Sequence, residues 1–382
     1  MEKIERITVR QLEVPLESPV WLGGAAVRQR EYCLLELTTS SGGTGHALAF
    51  TRGADLSNIV AGQLAPVVLG QRLNLPERLW EDMYHATRLN GRQGAVMRAI
   101  SLVDIAIWDV LAKQAEVPLY RLLGGYRDSI PVIMAGGYYS QEKGIRELCE
   151  EFQHYVEQGY KHLKLVVGGA SMEEDLARFI AVRNHIPQEI ELGVDANGAW
   201  SDPKAVRRWI DRANAETCGL SFVEEPLPPE WRSDLARLRE SVSTPIAVGE
   251  FLAGRWTFRE YMETGCVDYV RADATLCGGF SEWRKIAALA NAWGLPLMPH
   301  YFASIHLHAA LALPGCRMIE VVSTQGHNSS FHLMAGSSYV FKQGEAHPTN
   351  APGLGLRLDE AFINAHTTSV LSAGAGANIT SI

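Results

Sequence analysis

Ile190-Glu191-Leu192-Gly193-Val194-Asp195, Leu220-Ser221-Phe222-Val223-Glu224 and Ile246-Ala247-Val248-Gly249-Glu250 are short apolar runs that each close on an acid. Longer amphipathic stretches separate them, which is the texture of βα units around a parallel sheet. The same texture begins after Tyr126 and yields eight strand candidates: Ile130–Ala135, His162–Val167, Ile190–Asp195, Leu220–Glu224, Ile246–Glu250, Asp268–Asp273, Leu295–His300 and Met318–Val322. Eight such strands close a barrel. Upstream, Ile4–Leu16, Tyr32–Thr39 and Gly45–Phe50 read as strands, the last two joined by a hairpin turn at Ser40-Ser41-Gly42-Gly43-Thr44. Apolar residues then recur at helical spacing over Val96–Leu111, and Pro118 and Gly124-Gly125 punctuate the end. Residues 1–125 therefore form an α+β module, and residues 126–345 the barrel.

Polar residues are placed with regularity on the barrel candidates. Lys164, Asp195, Glu224, Glu250, Asp273, His300 and Glu320 occupy the middle or end of seven successive runs. The carboxyl ends of barrel strands converge on one face, where loops leave room for a substrate. A single strand-end acid is ordinarily a helix cap or a solvated turn residue; seven in succession point to a shared site.

Composition sets the outer limits. The chain has 382 residues, 47% hydrophobic and 20% charged, as in ordinary folded proteins. Its net charge of −8 and the lack of a long basic run weigh against nucleic acid or an anionic membrane as partner. Met1–Arg10 lacks the apolar core of a secretory signal, and Ile100–Leu111 is interrupted by Asp104 and Asp109 and is too short to span a bilayer. The six cysteines are scattered without a CxxC pair, as expected of reduced thiols in a cytoplasmic protein. Gly42-Gly43-Thr44-Gly45 lacks the spacing of a phosphate loop, and no GxGxxG or GxSxG motif appears. His306 and His308, two apart on an expected helix, make a poor metal pair and read as packing or surface residues.

Asp195, Glu224 and Glu250 end consecutive strands and place three hard oxygen ligands on one rim. Magnesium takes such ligands and leaves positions for water or substrate. Three buried carboxylates without a cation would repel one another and take up protons. Asn197, two residues beyond Asp195, points to the same side by alternation and is a candidate for a metal-bound water or a substrate carboxylate.

These residues belong to an ordered series: Leu102-Val103-Asp104-Ile105-Ala106-Ile107-Trp108-Asp109, Leu122-Leu123-Gly124-Gly125, Val194-Asp195-Ala196-Asn197, Val223-Glu224-Glu225-Pro226, Val248-Gly249-Glu250, Gly278-Gly279, Pro299-His300 and Pro352-Gly353-Leu354-Gly355. With that series the chain resembles the enolase superfamily, and within it the mandelate racemase subgroup, over nearly its whole length. The resemblance implies a (β/α)7β TIM-like barrel under an α+β capping domain, with residues 346–382 returning to the cap. It implies magnesium on Asp195, Glu224 and Glu250, an Asp273–His300 dyad, and Glu320 hydrogen-bonding the substrate carboxylate in protonated form. The reaction implied is abstraction of the proton alpha to a carboxylate through an enediolate, with His300 as base and Asp273 fixing its tautomer. The family commonly carries Lys-x-Lys on the second strand; here Lys164 matches the first lysine and Val166 replaces the second. With one base lost, dehydration of an aldonate or aldarate to a 2-keto-3-deoxy acid is the leading expectation, Lys164 acting as electrostatic support, as proton donor, or as a salt-bridged structural residue. Racemisation, epimerisation or cycloisomerisation is the alternative, and a catalytically lapsed binding protein the non-enzymatic one. His162 shares the face of Lys164 and is a candidate replacement for the lost lysine. Val20-Trp21-Leu22-Gly23-Gly24 and Thr51-Arg52-Gly53 match the family's loops over the substrate. Trp21, Arg52, Tyr138 and Tyr139 are candidates for the pocket wall, Arg52 for a distal carboxylate or for plain solvation. The partner expected is a small carboxylate, in a homo-oligomer, dimer or octamer.

Overall fold

The computed structural model describes residues 2–22, 25–324, 330–376 and 379–381. Its first unit is an antiparallel sheet of β1 (Ile4–Leu22), β2 (Ala25–Thr39) and β3 (Thr44–Phe50), extended on the β1 side by residues from the chain's end. β1 and β2 run longer than the apolar alternation alone indicates, because each supplies the other's hydrogen-bonding partners through Trp21 and Ala26. Helix Ala95–Gln114 lies across this sheet and is buried on nearly every face, which explains a run of apolar residues too continuous for a surface helix. It approaches β3 so closely that a Cβ on Gly45 would sit 2.1 Å from the Ala106 carbonyl oxygen.

The second unit is the barrel. β4 (Ile130–Gly136), β5 (His162–Val166), β6 (Glu191–Asp195), β7 (Val223–Glu224), β8 (Ile246–Val248) and β9 (Tyr269–Val270) pair in parallel and in order. β10 (Ile319–Val322) pairs with β4. The expected strand Leu295–His300 is reduced to Leu297, which bridges Val270 on one side and Cys316 on the other and so closes the ring. Several strands end earlier than their apolar runs because the last residues leave the ladder to face the site. The interior is filled by Ile133, Phe222, Ala247, Met298 and Met318; Gly193 leaves the space that the Phe222 ring enters, since a Cβ there would lie 2.3 Å from it.

A hairpin of β11 (Tyr339–Lys342) and β12 (Glu345–Pro348), which the apolar pattern does not announce, adds antiparallel to the start of β4. The chain then returns to the first sheet, where β13 (Thr367–Gly374) pairs with β1 and with β14 (Thr380–Ser381). No described helix is long and apolar enough to cross a membrane. The cysteines are free thiols, all buried except Cys218.

Candidate metal and catalytic site

Asp195, Glu224 and Glu250 each present an oxygen within 4.8 Å of the others, and all three are buried. Parallel pairing brings them together: Asp195 closes β6 level with Glu224 at the end of β7, and Glu250 follows two residues after β8 on the same face of the barrel. Two cations lie beneath them. The Lys164 ammonium, from the middle of β5, is 2.7 Å from Glu224, 3.0 Å from Asp195 and 3.0 Å from Glu320. Arg271 donates from Nε to Glu224 at 2.6 Å, from Nη2 to Glu320, and from Nη1 to the Met298 carbonyl at 2.6 Å. Burial works against the Lys164 ammonium, but Asp195 and Glu224 outweigh it and hold it above its usual range. Burial likewise raises Glu224, yet Arg271 and Lys164 prevail and hold it down at about 2.

Lys164 acts to lower Asp195 too but does not overcome its burial, and neither cation lies within ion-pair distance of Glu250. Asp195 and Glu250 are both pushed up, first by burial and, for Glu250, next by Asp195 and Glu224. One Glu250 oxygen, Oε2, has no hydrogen-bond partner among the described residues. Four carboxylates (Asp195, Glu224, Glu250 and Glu320) thus face two cations (Lys164 and Arg271) in a buried cluster. A divalent cation would balance that excess and use the orphaned oxygen, so the donor set fits the metal expected. Glu225, beside the cluster, is raised to about 8 by burial.

On the opposite side, His300 Nδ1 lies 3.0 Å from Asp273 Oδ2, leaving Nε2 toward the cavity and 3.4 Å from Glu250. Asp273 Oδ1 accepts from the Thr275 amide at 2.7 Å and the Thr275 hydroxyl at 2.8 Å, which fixes the carboxylate. Burial lowers His300 to about 4 against the pull of Asp273, so the ring is neutral at neutral pH and able to accept a proton. Tyr301 and Phe302, immediately after it, hold positive φ of 53° and 25°. Such backbone persists only where packing over-determines it, here by Phe50 of the cap, whose ring lies 4.9 Å from Tyr301 and 5.0 Å from Phe302.

The cavity between these walls is lined by Asp195, Asn197, Glu250, His300, Glu320, Val166 and Tyr138, with Arg30, Phe50 and Arg52 from the cap. Asn197 sits there at φ 50°, its amide donating to Asp195 Oδ1 at 2.9 Å. Lys164 is not on the lining but under it. His162 is a correction: it pairs with Glu191 at 3.1 Å, at the opening residue of β5, and Glu191 binds Arg317. Alternation gives it the face of Lys164, but about 6.7 Å lower along the strand, toward the far end of the barrel. Tyr139 also turns away, its hydroxyl on Asp175 and its ring 3.8 Å under the Arg178 guanidinium. Trp21 contributes its backbone, donating to the Tyr139 carbonyl at 3.2 Å, and its ring is not on the lining; Gly23 and Gly24 of that segment lie outside the described residues. Glu320 lies within reach of both cations, Lys164 Nζ at 3.0 Å and Arg271 Nη2. His306 is fully buried with Nε2 3.2 Å from Asp273, so it belongs to the dyad's surroundings rather than to general packing.

Sequence reasoning overlooked Arg271, Arg30 and Phe50. A signal existed for Arg271: an arginine inside an apolar run, two residues before Asp273 and therefore on the same face. For Arg30 and Phe50 there was none, because their approach to the barrel is a contact between distant segments.

Residues 4–124 match the family Mandelate racemase / muconate lactonizing enzyme, N-terminal domain, and residues 147–362 match Enolase C-terminal domain-like. The chain belongs to this family and is an enzyme of the enolase superfamily. It is similar to an arabinonate dehydratase of Saccharolobus solfataricus, 36% identical over 77% of this chain and 81% of that one. A 3,6-anhydro-alpha-L-galactonate cycloisomerase of Streptomyces coelicolor is 30% identical over 93% of this chain and 97% of its own. The crystal structure of an L-talarate dehydratase from Polaromonas sp. JS666, complexed with Mg and L-glucarate, superposes with a TM-score of 0.88 at 28% identity, covering 98% of this chain and all of that one.

Proposed function

We propose that the protein is a magnesium-dependent hydro-lyase that removes water from a sugar acid to give a 2-keto-3-deoxy acid, with His300 as its single base. The observation that carries this reading is the shared cavity of Asp195, Glu250 and the His300 imidazole, facing a wall on which Val166 offers no proton acceptor. Asp195, Glu224 and Glu250 would hold the cation, which supplies Lewis-acid stabilisation of charge developing on a substrate carboxylate. The neutral His300 ring takes the alpha proton at Nε2, while the Asp273 carboxylate favours the imidazolium that results. The same imidazolium returns its proton to the departing hydroxyl when both leave from one face. Lys164 and Arg271 are fixed cations beneath Glu224 and Glu320. Tyr138, the polar group next to Val166, is held protonated by burial and is no base at neutral pH.

Similarity to the arabinonate dehydratase and to the talarate dehydratase supports dehydration, and similarity to the cycloisomerase keeps isomerisation as the second reading. Incubation of the magnesium-loaded protein with an acid-sugar panel in deuterated water separates them. Dehydration yields a keto acid that forms a semicarbazone; a stereoisomer or a ring-opened or ring-closed isomer carrying solvent deuterium, without keto acid, would overturn the proposal.

A further inference from the structure

Three titratable groups meet beside the cavity, and the proposed chemistry uses two of them, Asp273 and His300. The third is His306, on the helix Ala303–Ala312, fully buried and behind the cavity lining rather than on it. Its Nε2 accepts from the Ala274 amide at 2.8 Å, and its Nδ1 lies 3.0 Å from the Tyr301 carbonyl. A backbone amide can only donate, so Nε2 carries a lone pair and the ring's proton sits on Nδ1, donated to that carbonyl.

Ala274 directly follows Asp273, and Tyr301 directly follows His300. One imidazole therefore ties together the two backbone segments that carry the dyad. Both ends of the tie fall where the backbone is already constrained. Tyr301 and Phe302 hold positive φ, and the amides of Ile305 and His306 grip the same turn by donating to the Phe302 carbonyl at 2.8 and 3.0 Å. Ala274 opens the short helix Ala274–Cys277, for which Asp273 is the cap. Without the ring, the buried Ala274 amide loses its acceptor, and relief of that cost would shift its segment.

The ring also limits the carboxylate. His306 Nε2 is 3.2 Å from Asp273 Oδ1, an oxygen that already accepts from the Thr275 amide and hydroxyl. Nε2 and Oδ1 face each other as two acceptors, so the contact fills the space into which the carboxylate could turn and leaves Oδ2 for His300 Nδ1 at 3.0 Å. His308, two residues on, supplies the contrast. It too accepts from an amide and contacts a carbonyl, but these belong to Tyr120 and Leu354, which neither carry the dyad nor line the cavity.

We infer that His306 is a positioning residue for the dyad: by bridging Ala274 and Tyr301 it sets the separation and orientation of Asp273 and His300, and so the aim of His300 Nε2 into the cavity. This rests on the proposed role of His300 as base and adds what holds that base in place.

The test uses the magnesium-loaded full-length protein carrying His306→Leu, His306→Gln or His308→Gln. Keto-acid formation and alpha-proton exchange are followed with the acid sugar that wild type turns over fastest, and the downfield NMR resonance of the His300 Nδ1 proton is recorded without substrate. His306→Leu is expected to lower kcat about 10- to 100-fold, the effect of a misplacement on the order of 1 Å, with KM and magnesium affinity unchanged, and to displace the Nδ1 resonance. His306→Gln, whose amide oxygen can take the Ala274 amide, restores part of both, and His308→Gln leaves both as in wild type. In a His300→Asn background His306→Leu has no further effect on the residual rate, because a residue that acts through the dyad has nothing left to aim. Should His306→Leu fail to fold, the same losses are read in His306→Asn, whose shorter amide does not reach Ala274. Wild-type kcat in the His306 variants, equal losses of kcat in His306→Leu and His308→Gln, a rise in KM alone, or a further drop in the His300→Asn background overturns the inference. Should wild type form neither keto acid nor exchange product, the hydro-lyase reading fails and the Nδ1 resonance decides: displaced in His306→Leu and recovered in His306→Gln, it sustains the positioning role; unmoved in both, it refutes it.

Discussion

The two side walls of the cavity are built from the same kind of element and finish very differently. On one, the segment after Leu297 ends in His300, and Asp273, Thr275 and the buried His306 surround it with polar partners. On the other, three strand positions away round the ring, β5 ends in Val166, which packs with Leu16, Val20 and Tyr138. Both walls are buried, so burial alone does not distinguish an active from an inert one. What differs is whether a titratable group has a partner that fixes one nitrogen and leaves the other free. A site with one such group performs one-sided proton chemistry, and the asymmetry of the walls is the structural form of that statement.

Replacing His300 tests the asymmetry most severely. His300→Asn is expected to lower the rate of keto-acid formation by about 100- to 10,000-fold, the range for losing a general base, and to abolish alpha-proton exchange measured by NMR in deuterated water. A rate near wild type would show that the polar wall is not the reactive one.

His308 supplies the control, because burial lowers it to about 4 just as it lowers His300, yet it faces no cavity. Its Nδ1 accepts from the Tyr120 amide at 3.2 Å and its Nε2 lies 3.1 Å from the Leu354 carbonyl, so the neutral ring ties the helix Ala303–Ala312 to the returning chain. Its folded pKa is below the unfolded one, so the unfolded chain binds the extra proton first. Stability is therefore fully present above pH 6.5 and lost as pH falls from 6.5 toward 4, by about 3 kcal/mol. In denaturant titrations the gap between wild type and His308→Gln should narrow by about that amount across the same window, with neutral-pH activity retained. A constant gap would refute the shift.

The smallest effect is expected from furnishing the inert wall. Val166→Lys should lower stability by about 1–3 kcal/mol, because a longer chain enters a packed cluster. It should also introduce solvent deuterium at the alpha carbon in the configuration opposite to that left by His300. Exchange confined to the original configuration would mean that the second wall does not face the substrate carbon.

Asp195, Glu224 and Glu250 were legible as a group because each closes an apolar run, and the carboxyl ends of the strands in a parallel barrel open on one face. The cap's strands and the helix at Ala95–Gln114 were legible from alternation and helical spacing for the same local reason. Alternation misled at His162, since it fixes the face of a strand and says nothing of height along the barrel. It also misjudged the seventh strand, which the apolar run Leu295–His300 suggested at full length and which the fold uses through Leu297 alone.

The neighbours of the buried acids were beyond the sequence for a different reason. Glu320 stands on the eighth strand, but Lys164 and Arg271 reach it from β5 and from just beyond β9. Residue order along the chain determined which strands exist, which acids end them and that one familiar lysine is a valine, because those features repeat at short, regular spacing. Only the tertiary structure decided which cations lie under the acids, which histidine surrounds the dyad and which arginines enter the cavity. Those contacts join segments far apart in the chain, and charge and desolvation act through space at the distances the packing sets.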